Sequence, residues 1–209
     1  MGDDTRALGM LQAMAKMQDE HNTQVHPQWR EQGYEYYRAI WVECAEMLDH
    51  YGWKWWKKQD PDLDQVKLEL VDIWHFALSE LMRADTLTDD VATQLSTVAS
   101  ANSDAEGFRH AIEELAESSL RTKSFELAPF VQAMAALPLP YDELFDLYIG
   151  KNILNRFRQD HGYKSGEYQK LWQGREDNEH LIEVLDKLSC SPEELPTKLY
   201  AELAERYPD

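Results

Sequence analysis

Residues 41–76 read WVECAEMLDHYGWKWWKKQDPDLDQVKLELVDIWHF, and they predict two helices that carry two pairs of acids. The first pair is Glu43 and Glu46, and the second pair is Glu69 and Asp72. Each pair is spaced i, i+3, so both of its carboxylates lie on one helical face, one turn apart. Apolar residues recur near the helical period around each pair. The acids are therefore predicted to lie in apolar helix faces that are buried or half-buried.

Carboxylates in such positions repel each other and lose hydration, so they need a compensating cation. Oxygen-only ligands suit a hard cation, and Mg²⁺ is the usual one where phosphates complete the coordination shell. A single E-x-x-E pair in an acid-rich chain is usually a solvated face. Two pairs flanked by core residues are a stronger signal, and we expect a Mg²⁺ site. Its predicted ligands are Glu43, Glu46, Glu69 and Asp72.

The segment between the two acid pairs is rich in tryptophan and lysine. Residues 53–58 read WKWWKK, with three indoles and three ammonium groups in six positions. Such a segment fits a core patch from which the lysines reach water. It fits equally well a ligand platform, with indoles against a base and lysines near phosphates. The sequence alone leaves both interpretations open.

Another set of polar residues lies on a helix predicted over residues 141–161. Lys151, Asn155 and Arg158 are spaced four and three apart, so they share one face. A lysine, an amide and an arginine on one face can hold a phosphate chain, since they offer several charge-assisted donors. The alternative is a surface stripe of ion pairs with acids elsewhere.

The first predicted helix, residues 1–22, ends with two amides on one side. Gln18 and Asn22 are at i, i+4 and offer both donors and acceptors, which can read the edge of a pyrimidine. From spacing alone, a polar helix end is the simpler interpretation.

Length and composition restrict the class of protein. The 209 residues suit one domain, or one domain with an insertion, and the hydrophobic content of 43% is enough for a core. A net charge of −18 argues against a nucleic-acid-binding surface but not against a nucleotide substrate. We find no apolar run of membrane length and no signal peptide, and two cysteines do not suggest a disulfide framework. We therefore expect a cytoplasmic protein that binds neither nucleic acid nor membrane.

Two blocks of the sequence resemble a known family. The runs ECAEMLDHYGWKWWK and ELVDIWHF look like the dimeric, all-α dUTP diphosphatases, which are related to MazG-like nucleotide pyrophosphatases. Residues 148–164, YIGKNILNRFRQDHGYK, are similar to the C-terminal phosphate-binding motif of that family. The resemblance implies an all-α helical bundle of the NTP pyrophosphatase type, a homodimer, and Mg²⁺-dependent hydrolysis of dUTP, and also of dUDP, to dUMP.

The two blocks also suggest how the chain is organised. We expect a catalytic helical core in residues 1–82 and 141–165, because these ranges contain every motif. Residues 83–140 would be an insertion or a mobile helical region. Residues 166–209 would be a helical C-terminal tail, to which the sequence assigns no chemistry.

The resemblance also implies roles for individual residues. Glu46 would orient or deprotonate the attacking water, in addition to its place among the metal ligands. The residues implied in phosphate binding are Lys54, Lys57, Lys151, Asn155, Arg158, Tyr163 and Lys164. The residues implied in base and sugar binding are Gln18, Asn22, Trp55 and Phe76. In that family a phenylalanine at the position of Phe76 lies near the nucleoside and would exclude a 2′-hydroxyl.

Alternatives of two kinds stay open at this point. Within the same class of enzyme, phage dCTP/dUTP pyrophosphatases and MazG-like house-cleaning enzymes would have another base preference. Outside it, a non-catalytic nucleotide-sensing module could keep the fold without the reaction. The presence of all four acids and of the basic motif argues against the second kind, and a turnover assay with Mg²⁺ and dUTP distinguishes them.

Overall fold

A computed structural model of the chain describes residues 2–98, 105–190 and 194–208, with side chains from residue 4 onwards. Within these ranges the protein is all-α apart from one two-stranded hairpin, which confirms the predicted fold class. The chain forms two compact units, Met1–Phe145 and Asp146–Asp209. In the described ranges every helix is too short or too polar to span a membrane.

In its described residues, the first unit is a bundle of six complete helices together with the start of a seventh. Their bounds are α1 (Gly2–Val25), α2 (Tyr36–Tyr51), α3 (Leu63–Arg83), α4 (Asp89–Ser96), α5 (Ala105–Thr122) and α6 (Leu127–Ala136), with a short 3₁₀ helix at Trp29–Glu31 after α1. The seventh helix, α7 (Tyr141–Asp160), continues into the second unit. α2 packs mainly against α3 and also against α5, while α1 packs against α3 and α4.

α3 is the central helix of this unit. It begins after Asp62, whose side chain accepts a hydrogen bond from the backbone N–H of Gln65 at 3.2 Å and so caps the helix. Residues on all sides of the helix are buried, polar ones included. A helix that is buried on almost every side lies in the interior of the bundle, and this position places the acids of α3 inside the first unit.

α2 ends at Gly52, which directs the chain into the tryptophan- and lysine-rich segment. Gly52 has φ of 90°, and a Cβ at this position would lie 2.8 Å from the Cβ of Gln59, so only glycine fits. The side chain of Gln59 accepts hydrogen bonds from the backbone N–H groups of Trp53 and Lys54, at 3.2 and 2.8 Å. Arg109 of α5 donates to the Gly52 carbonyl oxygen at 2.8 Å. The segment is therefore ordered at its start by three separate contacts.

The predicted insertion, residues 83–140, contributes α4, α5 and α6 to the first unit. α5 packs on α2 and on α6 in the same bundle as the helices that carry the acids. The structure does not test whether this region moves, and its role as an insertion or mobile region stays a prediction.

The part of the second unit that the structure describes contains the rest of α7 and four further elements. These are β1 (Leu171–Trp172), β2 (Arg175–Glu176), α8 (Asp177–Lys187) and α9 (Leu195–Arg206). The hairpin departs from the prediction of a purely helical tail. Its two-residue turn has positive φ at Gln173 and at Gly174, 54° and 83°, as type I′ turns require. Strands of two residues are too short to produce an alternating pattern, so periodicity does not predict them.

α7 and α8 approach each other closely at Gly150. A Cβ added there would lie 2.7 Å from the Cδ1 of Leu185, so the absence of a side chain permits the contact. The close approach packs the middle of α7 against the second half of α8.

Candidate active site

Three carboxylates from α2 and α3 meet in the first unit. Glu43, Glu69 and Asp72 each offer an oxygen, and these three atoms lie within 4.8 Å of one another. Glu69 is 5% exposed, and the other two residues are half-buried. The cluster forms because Glu69 and Asp72 share one face of α3, and α2 packs against that face. Three hard oxygen ligands at this separation suit a divalent cation.

The same proximity raises the energy of the fully ionised cluster. Burial, and then the neighbouring charges of Asp72 and Glu69, raises the pKa of Glu43 to about 9. A hydrogen bond between Glu43 and Glu69 acts in the same direction. At neutral pH the carboxyl group of Glu43 therefore holds a proton that a bound cation would replace. The oxygen ligands suit Mg²⁺, and so does the charge repulsion among the carboxylates, which a bound cation would relieve. Glu43, Glu69 and Asp72 are the residues that would hold it.

Glu46 lies one turn after Glu43 on α2, but its side chain is exposed. It does not belong to the three acids whose oxygens lie within 4.8 Å of one another. Its charge nevertheless contributes to the raised pKa of Glu43. His50, one turn further, places its Nε2 3.4 Å from the Oε1 of Glu69. The roles of Glu46 as a metal ligand and as the catalytic group stay predictions.

The tryptophan- and lysine-rich segment lies on the surface of the first unit. Trp55 is 89% exposed, and Lys57 is exposed as well. The Nζ of Lys54 donates to the Oδ1 of Asp49 at 2.9 Å. A tryptophan so exposed is not part of a core, so the core-patch interpretation does not hold for Trp55, and the role of the segment as a ligand platform stays a prediction.

The two amides of α1 are held in a buried network with α3. Asn22 donates from its Nδ2 to the hydroxyl of Ser79 at 2.9 Å, and Gln18 donates from its Nε2 to the Oδ1 of Asn22 at 3.0 Å. The Oε1 of Gln18 lies 2.7 Å from the Nδ1 of His75. α3 therefore carries two of the three clustered acids, the half-buried Phe76, and one hydrogen-bond partner of each amide. The sequence singled out the amides but not the contribution of Ser79, which is 57 residues from Asn22.

In the second unit, the residues predicted to bind phosphate are held by the start of α8. Arg158 donates from Nε and Nη2 to both oxygens of Asp177, at 2.8 and 2.9 Å, and from Nη1 to the Oδ1 of Asn155 at 3.1 Å. Lys151 is 1% exposed and donates to the Oδ1 of Asn178 at 2.9 Å. These contacts fix the directions in which both cations point.

Asp177 is fully buried and is the centre of this arrangement. Burial alone would raise the pKa of its carboxyl group, but hydrogen bonds from Arg158 and Tyr168, with the charges of Arg158 and Lys151, lower it overall. The Tyr168 hydroxyl donates to the Oδ2 of Asp177 at 2.8 Å. Sequence reasoning assigned no chemistry to this tail, because an Asp-Asn pair at a helix start resembles ordinary capping.

Tyr163 and Lys164 follow the end of α7 and are both exposed. The guanidinium carbon of Arg158 lies 6.0 Å from the centre of the Tyr163 ring. Their assignment to phosphate binding stays a prediction, as does that of Lys151, Asn155 and Arg158.

Comparison with known families assigns the chain. A family model described as dUTPase matches residues 10–163, about three quarters of the sequence. The chain belongs to the dUTPase family. It is accordingly a nucleotide pyrophosphohydrolase whose substrate is a nucleotide. No match was found among curated proteins.

Some of the contacts described above lie inside the range matched to the dUTPase family, residues 10–163, and others include residues beyond it. The three clustered acids, the tryptophan- and lysine-rich segment and the buried amide network all lie within the region common to the dUTPase family. Tyr168, Asp177 and Asn178 lie beyond it. The buried counter-charge for Arg158 is therefore supplied by a part of the chain that the family match does not include.

The raised pKa of Glu43 predicts that Mg²⁺ stabilises the protein more at high pH than at low pH. The carboxyl group keeps its proton up to about pH 9 in the folded protein, against 4.5 for an ordinary glutamate. Because the folded-state pKa is raised, its contribution to stability is fully present below the unfolded pKa and is lost as the pH rises towards 9. A bound cation favours the ionised form and restores that loss.

The rise in melting temperature on adding MgCl₂ should therefore be larger at about pH 8.5 than at about pH 6. Differential scanning fluorimetry with and without Mg²⁺ measures it. Glu43→Gln is the control and should remove most of the pH dependence. A Mg²⁺ shift in the wild type that is equal at both pH values, or larger at the lower one, would contradict the assignment.

Proposed function

We propose that the protein is a Mg²⁺-dependent dUTP diphosphatase, which converts dUTP and water to dUMP and pyrophosphate and also accepts dUDP. The proposal rests on one observation, the cluster of Glu43, Glu69 and Asp72 on α2 and α3, inside the region matched to the dUTPase family. Family membership supports the proposed class of reaction, and the cluster supports the proposed position of the cation. In a cell this activity would keep uracil out of DNA and provide dUMP.

The acids would divide the chemistry between them. Glu43, Glu69 and Asp72, with Glu46 as a fourth ligand, would hold the metal. These residues would hold Mg²⁺, which would supply positive charge against the phosphate oxygens and favour attack on phosphorus. Glu46 would orient the attacking water and take its proton. Its exposure supports this role, because an exposed carboxylate can reach a water molecule beside the cluster.

The nucleoside would be recognised by side chains around α3. Gln18 and Asn22 would read the uracil edge through their amides. Phe76, one turn after Asp72, would lie against the deoxyribose, and Trp55 would contact the base. Phe76 is half-buried, so part of its ring remains accessible for contact with the sugar, which supports this role.

The residues proposed to bind the phosphate chain and the leaving group are basic or polar. Arg158 would contribute a planar guanidinium whose direction is set by Asp177 and Asn155. The full set proposed is Lys54, Lys57, Lys151, Asn155, Arg158, Tyr163 and Lys164.

We also propose that the enzyme acts as a homodimer in the cytoplasm. The likeness of residues 41–76 and 148–164 to the dimeric dUTP diphosphatases supports the dimer. The two free cysteines, Cys44 and Cys190, are compatible with a reducing compartment. Light scattering coupled to gel filtration tests the dimer, and a mass of one 24.4 kDa chain would rule it out.

A nucleotide panel tests the proposed substrate. The common dNTPs and NTPs are incubated with enzyme and Mg²⁺, and the nucleoside monophosphate, pyrophosphate and orthophosphate are measured. We expect dUTP to be hydrolysed best, to dUMP and pyrophosphate. Equal or faster hydrolysis of dCTP or dTTP would show that the base preference is wrong, even though the chemistry would stand.

Phe76→Ala tests how the enzyme would select deoxyribose. A ring against the sugar leaves a 2′-hydroxyl without a hydrogen-bond partner, which costs about 1–3 kcal/mol. The variant should therefore narrow the preference for dUTP over UTP by about ten- to a hundredfold, with lower activity towards both. Steady-state kcat/KM for the two nucleotides gives the ratio.

A matched control separates this effect from simple loss of packing. Phe130→Leu alters a fully buried phenylalanine on α6 and should lower the melting temperature without changing the dUTP/UTP ratio. If Phe76→Ala behaves in the same way as Phe130→Leu, then Phe76 is a core residue and the sugar assignment is wrong.

A further inference from the structure

The buried amide network of the first unit is a closed ring of hydrogen bonds. The Ser79 hydroxyl donates to the backbone carbonyl oxygen of His75 at 3.0 Å. Asn22 donates to Ser79, and Gln18 donates to Asn22. Gln18 in turn faces the Nδ1 of His75 at 2.7 Å. The ring therefore begins at the side chain of His75 and returns to the carbonyl group of the same residue.

The direction of this ring is determined by Ser79. A backbone carbonyl oxygen can only accept, so the single proton of the Ser79 hydroxyl is directed towards His75. The hydroxyl oxygen is then an acceptor towards Asn22. One donor and two acceptor positions are the whole capacity of a serine hydroxyl. Asn22 must therefore present its NH₂ group, and not its carbonyl oxygen, to Ser79.

The orientation of Asn22 determines the orientation of Gln18, and that of Gln18 determines which nitrogen of His75 carries the proton. With the NH₂ group of Asn22 on Ser79, its Oδ1 faces Gln18 and takes a hydrogen bond from the Gln18 NH₂ group. The Oε1 of Gln18 then faces the Nδ1 of His75, which must carry the proton. Every bond in the ring points the same way, and hydrogen bonds in such a chain strengthen one another. Both amide planes are thus held with their donor and acceptor ends fixed.

We propose that Ser79 is a positioning residue for base selection, because it fixes the amide orientation of Asn22 and, through it, of Gln18. The proposal rests on the proposed function, in which these two amides read uracil. The O4 and N3–H of uracil offer an acceptor and a donor, whereas the N4–H₂ and N3 of cytosine offer a donor and an acceptor. A pair of amides fixed in one orientation can pair with the donor and acceptor order of uracil but not with the reversed order of cytosine.

Ser79→Ala removes the acceptor that holds the NH₂ group of Asn22. The Asn22 amide can then turn over, and the order of donors and acceptors presented to the base is no longer unique. We expect the ratio of kcat/KM for dUTP over dCTP to fall by at least about tenfold, the effect of one buried hydrogen bond made to the wrong group. The rise in melting temperature with Mg²⁺ should stay as in the wild type, because Ser79 does not belong to the acid cluster.

Ser119→Ala is the matched control. Ser119 is also a buried helical serine, 2% exposed, and its hydroxyl donates to the carbonyl oxygen of Ala116 at 2.9 Å. Its replacement should cost a similar amount of stability and leave the dUTP/dCTP ratio unchanged. Ser79→Thr keeps a hydroxyl that can donate to the His75 carbonyl, so it should keep a ratio close to that of the wild type.

The possible results separate this proposal from the proposed function. If Ser79→Ala hydrolyses dUTP with the wild-type ratio, the positioning role of Ser79 is wrong and the function stands. If the wild type does not prefer dUTP to dCTP, the proposed base recognition fails and the role of Ser79 fails with it. Should Ser79→Ala not fold, Ser79→Cys serves instead, because a thiol is only a weak donor and acceptor. An unchanged ratio in Ser79→Cys would likewise overturn the proposal.

Discussion

Glu69→Gln is expected to lower Mg²⁺-dependent dUTP hydrolysis at least about a hundredfold while raising the melting temperature of the metal-free protein. The two effects have one cause. Glu69 is a buried carboxylate beside Glu43 and Asp72, so its charge binds the cation but destabilises the protein when no cation is present. Glutamine keeps the size and can still accept the hydrogen bond from Glu43. Steady-state rates and thermal melts with and without Mg²⁺ measure both effects.

Glu113→Gln is the matched control for this change. Glu113 is an exposed glutamate on α5, spaced i, i+4 from the exposed Glu117. Its replacement should leave the rate and the melting temperature nearly unchanged, because the charge of an exposed acid contributes little to stability. A folded Glu69→Gln protein with near-normal activity would remove Glu69 from the metal site.

Asp177→Asn is expected to lower the free energy of unfolding by about 3–5 kcal/mol. The carboxylate is fully buried and accepts both hydrogen bonds of the Arg158 fork, so its neutralisation leaves a largely buried guanidinium without its counter-charge. Chemical denaturation followed by circular dichroism measures the loss. Asp186→Asn, an exposed position on the same helix, should have little effect.

The same substitution predicts a pH dependence. The pKa of Asp177 is lowered below the ordinary 3.8, so its contribution to stability is present above that value and is lost as the pH falls through the folded-state pKa. The stability difference between the wild type and Asp177→Asn should therefore be constant near neutral pH and shrink below about pH 4. A difference that stays equally large at lower pH, or that is absent at pH 7, would show that the charge of Asp177 does not support Arg158.

The central features of the site were predictable because they depend on local spacing. The i, i+3 period places Glu69 and Asp72 on one face of α3, and apolar neighbours indicate that the face is buried. The same rule placed Glu46 beside Glu43, but the structure leaves Glu46 exposed. Residues three apart differ by about 60° around a helix, so one of them can face the neighbouring helix while the other lies at its edge.

The remaining features depend on packing between segments that are distant in the sequence. Ser79 meets Asn22 across 57 positions, and Asp177 meets Arg158 across 19. Neither contact leaves a periodic signal, since each requires that one helix be placed against another. The hairpin was missed for a different reason, because its turn, Gln173-Gly174, lacks the Asn-Gly or Asp-Gly signature. The residues that carry the chemistry could therefore be predicted from the sequence, whereas the distant residues that orient them, Ser79 and Asp177, could not.

The most direct test of the account is the hydrolysis of dUTP by the wild-type protein in Mg²⁺ and in EDTA. The products are separated by ion-exchange chromatography. If the carboxylates of α2 and α3 hold a catalytic cation, dUMP and pyrophosphate form in equal amounts in Mg²⁺. EDTA should stop the reaction, and excess Mg²⁺ should restore it. A folded protein that does not turn over dUTP in Mg²⁺, or that hydrolyses it equally well in EDTA, would contradict the account.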